Sequence, residues 1–255
     1  MMVRVWACGA LAVGFVLGVT AMWGSSFADE DRFNQDEEAA IEAIVEQYLQ
    51  DNPSVVFNAV QRHLELEQQA EDERLKSSVA ANLAKLQSET GGFAAGASAE
   101  DASVTIVEFF DYHCGYCKKA TGAVMKLLQD DPTVRVVFKE YPILVDESHV
   151  AAKAAMAARD QDKYLDFHLE LMRAAGKLTD ERIDSIAEKV GIDVAKMRAA
   201  MGSPEIEADL LETRELAQSV GITGTPTFLV NDEVIPGWAE ERLHEMIAQE
   251  QGEPS

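Results

Sequence analysis

Cysteine is scarce in this chain: 255 residues hold three, Cys8, Cys114 and Cys117. An exported protein stapled by disulfides carries several cysteines at scattered spacings, so a structural disulfide framework is excluded. Basic residues are scarce too, 22 Lys and Arg against 45 Asp and Glu, for a formal net charge of -23. Such a chain repels phosphate, which excludes nucleic acid as a partner and disfavours anionic membrane surfaces. The five histidines, His63, His113, His149, His168 and His244, are dispersed with no H-x-x-x-H spacing. No metal or other cofactor is expected.

The first 28 residues read as a secretory signal: Arg4 supplies the positive start, residues 5–19 are almost wholly apolar, and Ser26-Phe27-Ala28 offers small residues for cleavage. The apolar stretch is short for a membrane span and runs at once into Asp29-Glu30-Asp31; an uncleaved anchor is the alternative. Cys8 is one small apolar residue of this segment. Its removal leaves Cys114 and Cys117 as the only thiols of an exported chain, for which the periplasm is the expected compartment.

The pair lies in Glu108-Phe109-Phe110-Asp111-Tyr112-His113-Cys114-Gly115-Tyr116-Cys117, where an apolar, β-branched run turns into a helix. The first N–H groups of a helix are unpaired and its dipole is positive there, so a thiol at that end is stabilised as thiolate. A thiolate is the attacking species in disulfide exchange. A disulfide across two intervening residues closes too small a loop to constrain the unfolded chain, so its use lies in being made and broken. C-x-x-C is also half of a zinc site, the rival chemistry, but the other half is missing.

The apolar positions Ile41, Ile44, Val45, Tyr48 and Leu49 recur at helical spacing, and Asn52-Pro53 reads as an N-cap and first helical residue that restart a helix continuing to about residue 87. This sparsely apolar extension, residues 29–90, cannot form a core alone; it packs on its own domain or on further copies of the chain. Residues 91–98, rich in Gly and Ala, read as a linker before the main domain, 91–255. Within it, strands are expected at 104–110, 134–139 and 227–230, with 234–235 as a hairpin partner beyond a turn at Asn231-Asp232. Helices are expected at 115–129, 148–159, 163–175, 180–190, 204–220 and 240–249, with Gly191 and Gly221 as stops. The order β, α, β, helical insert (about 143–220), β, β, α is an α/β sandwich.

Two motifs around that insert resemble the thioredoxin fold as elaborated in the DsbA family of thiol-disulfide oxidoreductases: the stretch Glu108 to Cys117, and Gly224-Thr225-Pro226-Thr227-Phe228, which resembles the family's cis-proline loop. The fold class implied is α/β, a thioredoxin fold with an inserted helical subdomain, preceded by an N-terminal helical extension. The resemblance implies that Cys114 is the nucleophile and Cys117 the resolving thiol; access and free N–H groups at the helix start argue the same way. It further implies that Pro226 is the cis-proline and that Thr225 presents main chain to an extended client. Gly115 and Tyr116 would tune the sulfur. Glu108, an acid in an apolar strand where the family also carries one, is a candidate proton acceptor for Cys117 with Lys139 as a possible partner; the alternative is a strand-edge acid in solvent. His113 is expected at the surface, or as a cation supporting the thiolate and client site. Tyr112, Phe228 and Trp238 read as core or groove aromatics, and Met156, Met172 and Met197 as packing.

Gly115-Tyr116 and Thr225 are similar to the disulfide isomerases and to ScsC-like (suppressor of copper sensitivity) members, as is Tyr48-Leu49-x-x-Asn52-Pro53 in the extension, which in some members makes homotrimers. The expected function is disulfide exchange with unfolded or misoxidised exported proteins, as isomerase or oxidase, with a membrane redox partner. The alternative class is a non-catalytic chaperone or a copper-binding protein using both thiols as ligands.

Overall fold

The computed structural model describes residues 33–252. The signal segment and Cys8 lie outside the described residues. The chain divides into two compact units between Gln61 and Arg62.

In the first unit, α1 (Gln35–Asp51) opens on a capping box: Asn34 Oδ1 accepts from the N–H groups of Asp36 and Glu37, and the Glu37 carboxylate accepts from Asn34 N–H at 2.9 Å. The apolar stripe falls on this helix, but no residue of α1 is buried; Ile44 is 68% and Tyr48 54% exposed. Asn52 departs from its expected role. Its side-chain amide donates to Tyr48 O at 2.9 Å, closing α1 instead of opening the next helix, because an amide can donate to the free carbonyls of a C-terminus as well as accept at an N-terminus. The second helix, α2 (Ser54–Leu86), starts in this unit, and its residues from Arg62 on belong to the second.

The second unit contains β1 (Gly92–Gly96), β2 (Val104–Phe110), α3 (Gly115–Asp130), β3 (Val134–Glu140), α4 (Asp146–Ala158), α5 (Tyr164–Arg173), α6 (Asp180–Lys189), α7 (Val194–Ala200), α8 (Pro204–Ser219), β4 (Thr227–Val230), β5 (Glu233–Pro236) and α9 (Glu240–Glu250). The strands form one sheet in the order β1-β3-β2-β4-β5, with β2 and β3 parallel and the other pairs antiparallel. Gly191 and Gly221 follow α6 and α8 with φ of 81° and 73°, as helix stops do.

The expected linker is an edge strand. Residues 92–96 pair with 135–139, and the small residues are there for contact: a Cβ on Gly92 would fall 1.8 Å from Phe138 O, and one on Gly96 2.2 Å from Val134 O. Composition alone does not separate a flexible glycine run from a strand pressed onto its neighbour's backbone. The unit also begins before Gly91, since Val79 and Leu86 of α2 are buried in its core. The insert carries one helix more than expected, α7.

Strand alternation sorts the side chains of β2. Ile106, Glu108 and Phe110 face the larger core, built with α3, α4 and α5, whereas Val107 and Phe109 face the smaller one, built with α2 and α8. In β3 the same parity puts Phe138 and Glu140 with Glu108, and Val137 and Lys139 on the other side. Lys139 is therefore not the partner of Glu108. Its ammonium donates to Lys85 O at 3.0 Å and Thr90 O at 2.8 Å, satisfying the carbonyls where α2 ends.

Candidate active site

At the C-terminal end of β2 the chain turns into α3, and Cys114 is the N-cap of that helix, with extended backbone (φ -76°, ψ 116°). Its Sγ accepts from Cys117 N–H at 3.2 Å, doing with sulfur what a serine oxygen does at most helix starts. The thiol donates to Thr225 O at 3.2 Å. Thr225–Pro226 is a cis peptide bond, as expected. Both cysteines carry free thiols. Cys114 is less open than expected at a helix start, 6% exposed against 0% for Cys117.

Those contacts decide the acidity of each thiol. The Cys117 side chain beside the sulfur pulls Cys114 down to about 6, with help from the Thr225 hydroxyl and the N–H groups of Cys117 and Tyr116 and against the cost of burial. Burial pushes Cys117 far above the ordinary thiol range, and its bond to Cys114 and the charge of Glu108 push the same way. At neutral pH one thiol is ionised and the other holds its proton.

Glu108 is 2% exposed on the face that carries Cys117, so the solvent-facing alternative is wrong. Its Oε1 has no hydrogen-bond partner, and the only other buried side-chain oxygen in that state among the described residues is Thr225 Oγ1. Both orphans flank the cysteine pair. Burial, and then the negative charge of Cys114, raise Glu108 to about 8.

Gly115 and Tyr116 are exposed, with the Lys119 ammonium 4.9 Å from the Tyr116 ring centroid. A side chain at Gly115 would meet nothing within 4 Å, so packing does not require glycine there. His113 is neither at the surface nor placed to act as a cation. Its Nε2 accepts from Leu178 N–H at 3.2 Å, which fixes the proton on Nδ1, 3.1 Å from Ser148 Oγ, and burial lowers its pKa from the ordinary value. Phe228 is core, Trp238 half-buried against it, and Met156, Met172 and Met197 are packed inside, as expected.

Two buried polar centres were not anticipated. Asp111 accepts four hydrogen bonds: His113 N–H and Ser148 O–H on Oδ1, both at 2.7 Å, and the N–H groups of Ile143 and Leu144 on Oδ2 at 2.9 and 3.0 Å. It ties the turn before Cys114 to the loop after β3. Glu140 Oε1 accepts from Tyr112 O–H at 2.9 Å and Tyr164 O–H at 2.7 Å, and the carboxyl is raised by burial to about 8. His168, packed among Phe110, Tyr112, Phe138 and Tyr164, is driven by burial to about 3. The only signal in the sequence was polarity at strand ends and on a helical apolar face; no spacing links the partners.

No group of three or more His, Cys, Asp or Glu side chains among the described residues is placed to hold a metal ion. No described helix is long and apolar enough to cross a membrane.

The DSBA-like thioredoxin domain family matches residues 105–248. A thioredoxin-like oxidoreductase from Silicibacter pomeroyi DSS-3 is 38% identical, with 64% of this chain and 94% of that one covered at a TM-score of 0.60. A linker-deletion mutant of ScsC from Proteus mirabilis, 22% identical, shares the fold at a TM-score of 0.66 over 88% of this chain and 99% of that one. Among curated relatives, Na(+)/H(+) antiporter NhaA 1 of Salinispora arenicola is 33% identical over 133 residues, which is 51% of this chain and 20% of that protein. This chain thus spans about a fifth of the length of that relative. With residues 105–110 of β2, the C-x-x-C helix start, the insert and the Thr225–Pro226 loop inside the matched region, which is more than half of the chain, the chain belongs to the DSBA-like thioredoxin domain family.

Proposed function

We propose that this chain is an exported, periplasmic thiol-disulfide oxidoreductase that exchanges disulfides with unfolded or misoxidised proteins through Cys114 and Cys117. The observation that carries the reading is the placement of the two thiols: Cys114 Sγ caps α3 and meets the main chain of Thr225 beside the cis-proline, while Cys117, one turn further along α3, is fully buried.

The Cys114 thiolate attacks one sulfur of a client disulfide; the S–S bond breaks, a client thiolate leaves, and a mixed disulfide forms. Cys117 then loses its proton and attacks Cys114 Sγ, releasing the second client thiolate and leaving the chain oxidised and the client reduced by two electrons. Glu108 is the proton acceptor for that step. Its carboxyl is held protonated partly by the Cys114 charge, and the mixed disulfide abolishes that charge, so Glu108 becomes a better-populated base when Cys117 must ionise. Thr225 supplies main chain for the client, and its unpartnered hydroxyl a donor for the thiolate.

Isomerisation suits the first unit. Ile44, Val45, Tyr48, Val56, Phe57 and Val60 expose large apolar side chains, a pattern relieved by association with two further copies of the chain. An assembly holding several active sites can keep a client on one Cys114 while another attacks, and it needs a membrane redox partner to keep the thiols reduced. Reduction of insulin and refolding of scrambled ribonuclease test the reading: both activities are expected and both vanish in Cys114→Ala. Retention by that variant would replace catalysis with a chaperone or copper-binding role.

A further inference from the structure

The residues bordering the C-x-x-C motif, His113 before Cys114 and Lys118 after Cys117, reach the same segment of the helical insert, 171–178, from the last turn of α5 into the loop before α6. The Lys118 ammonium donates to the carbonyls of Leu171 at 3.2 Å, Met172 at 3.3 Å and Ala174 at 2.7 Å, filling the acceptors at the C-terminus of α5. His113 Nε2 takes the N–H of Leu178 at the far end. Between these anchors Ala175, Gly176 and Lys177 are exposed. Arg182 of α6 braces the same turn from within the insert, donating to Ala175 O and to Lys177 O at 3.4 Å.

We propose that His113 and Lys118 are positioning residues that hold the 174–178 turn beside the cysteine pair as a second wall of the client site, in addition to the Thr225–Pro226 loop, and that His113 can do so only as a neutral acceptor. This rests on the oxidoreductase reading above. The chemistry of the contact supports it: an imidazolium carries protons on both nitrogens, so a protonated Nε2 would face the Leu178 N–H donor to donor. The charged groups facing the ring are Asp111 from the β2–α3 turn and Glu147 from α4, which favour protonation, and Lys118 from α3 and Lys177 from the turn itself, which oppose it. Burial opposes it most, so the contact is made at neutral pH and lost on acidification. The Lys177–Glu147 ion pair crosses the same place, so the release concerns the main chain of the turn and not its whole attachment.

The test uses the full chain and two disulfides, an unfolded protein disulfide and oxidised glutathione. Both depend alike on Cys114 ionisation, so the ratio of their kcat/KM values cancels it. The ratio is expected to fall about fivefold in the wild type as His113 takes a proton on acidification, the worth of one main-chain hydrogen bond, and the fall to reside in KM for the protein. In His113→Gln, whose amide oxygen accepts at the same place and takes no proton, the ratio stays high and flat; in His113→Leu and Lys118→Met it is low at every pH. Hydrogen exchange of the Leu178 amide is expected to follow the same pattern, which checks that the variants fold and differ only there. A flat wild-type ratio, or a Leu178 amide indifferent to pH and to His113→Leu, would overturn the proposal. Loss of exchange with neither disulfide in Cys114→Ala would overturn the oxidoreductase reading instead, leaving the Leu178 result standing.

Discussion

The thiol of Cys114 and the main chain of Thr225, 111 residues later in sequence, lie 3.2 Å apart, and the Thr225 hydroxyl beside them has no partner. When Cys114 ionises, the thiol stops donating to the carbonyl and becomes an acceptor for that hydroxyl. Thr225→Val removes the donor while keeping the shape, so the Cys114 pKa rises from about 6. Iodoacetamide trapping against pH reads it: the inflection moves up and the rate at pH 6 falls about two- to fivefold, the worth of one hydrogen bond. An unmoved inflection would remove Thr225 from thiolate stabilisation.

Glu108→Gln keeps the side chain's shape and removes its proton chemistry. The release of a mixed disulfide by Cys117 should slow about a hundredfold at pH 7, the low end of the usual worth of a positioned base, and lose its rise with pH. Stability moves the other way. The folded state keeps a proton on this acid up to about pH 8, whereas the unfolded chain gives it up near 4.5, so the wild type loses stability as pH rises between those values. The variant escapes that loss, worth up to about 5 kcal/mol for such a shift, and its melting temperature should exceed the wild type's at pH 8 but not at pH 4.

Asp111→Ala leaves four donors around the active-site turn without an acceptor, and a loss of roughly 2–4 kcal/mol is expected in urea unfolding. Asp111→Asn keeps one acceptor oxygen and should lose less. Equal losses in the two variants would show that the hydrogen bonds do not hold the loop.

How much of this could be read in advance differs from residue to residue. Strand β2, helix α3 and the roles open to Cys114 and Cys117 are legible because local patterns carry them, an apolar run and a helix start, whereas the role of Pro226 comes only through the resemblance of Gly224-Thr225-Pro226-Thr227-Phe228 to a cis-proline loop. The strand at 92–96 was hidden because its glycines serve backbone contact with β3, a partner that sequence does not display. Lys139 is a possible partner for Glu108 by its place at the end of the neighbouring strand, but one position of register reverses the face. His113 and the Asp111 and Glu140 centres depend on partners 24 to 65 residues away, which no periodicity encodes.

The exposed stripe on α1 makes a separate prediction. The full chain should have the solution mass of a trimer by light scattering, and Ile44→Glu combined with Tyr48→Glu should give a monomer that retains thiolate reactivity but loses ribonuclease isomerisation. A monomeric wild type would remove the isomerase argument and leave the exchange chemistry untouched.

The central claim, that Cys114 attacks and Cys117 resolves, is tested most directly by trapping. Cys117→Ala incubated with a disulfide-bearing client and quenched in acid should accumulate a mixed disulfide that peptide mapping places on Cys114, while Cys114→Ala accumulates none. A trapped client on Cys117 in the Cys114→Ala chain, or none in either variant, would contradict the account.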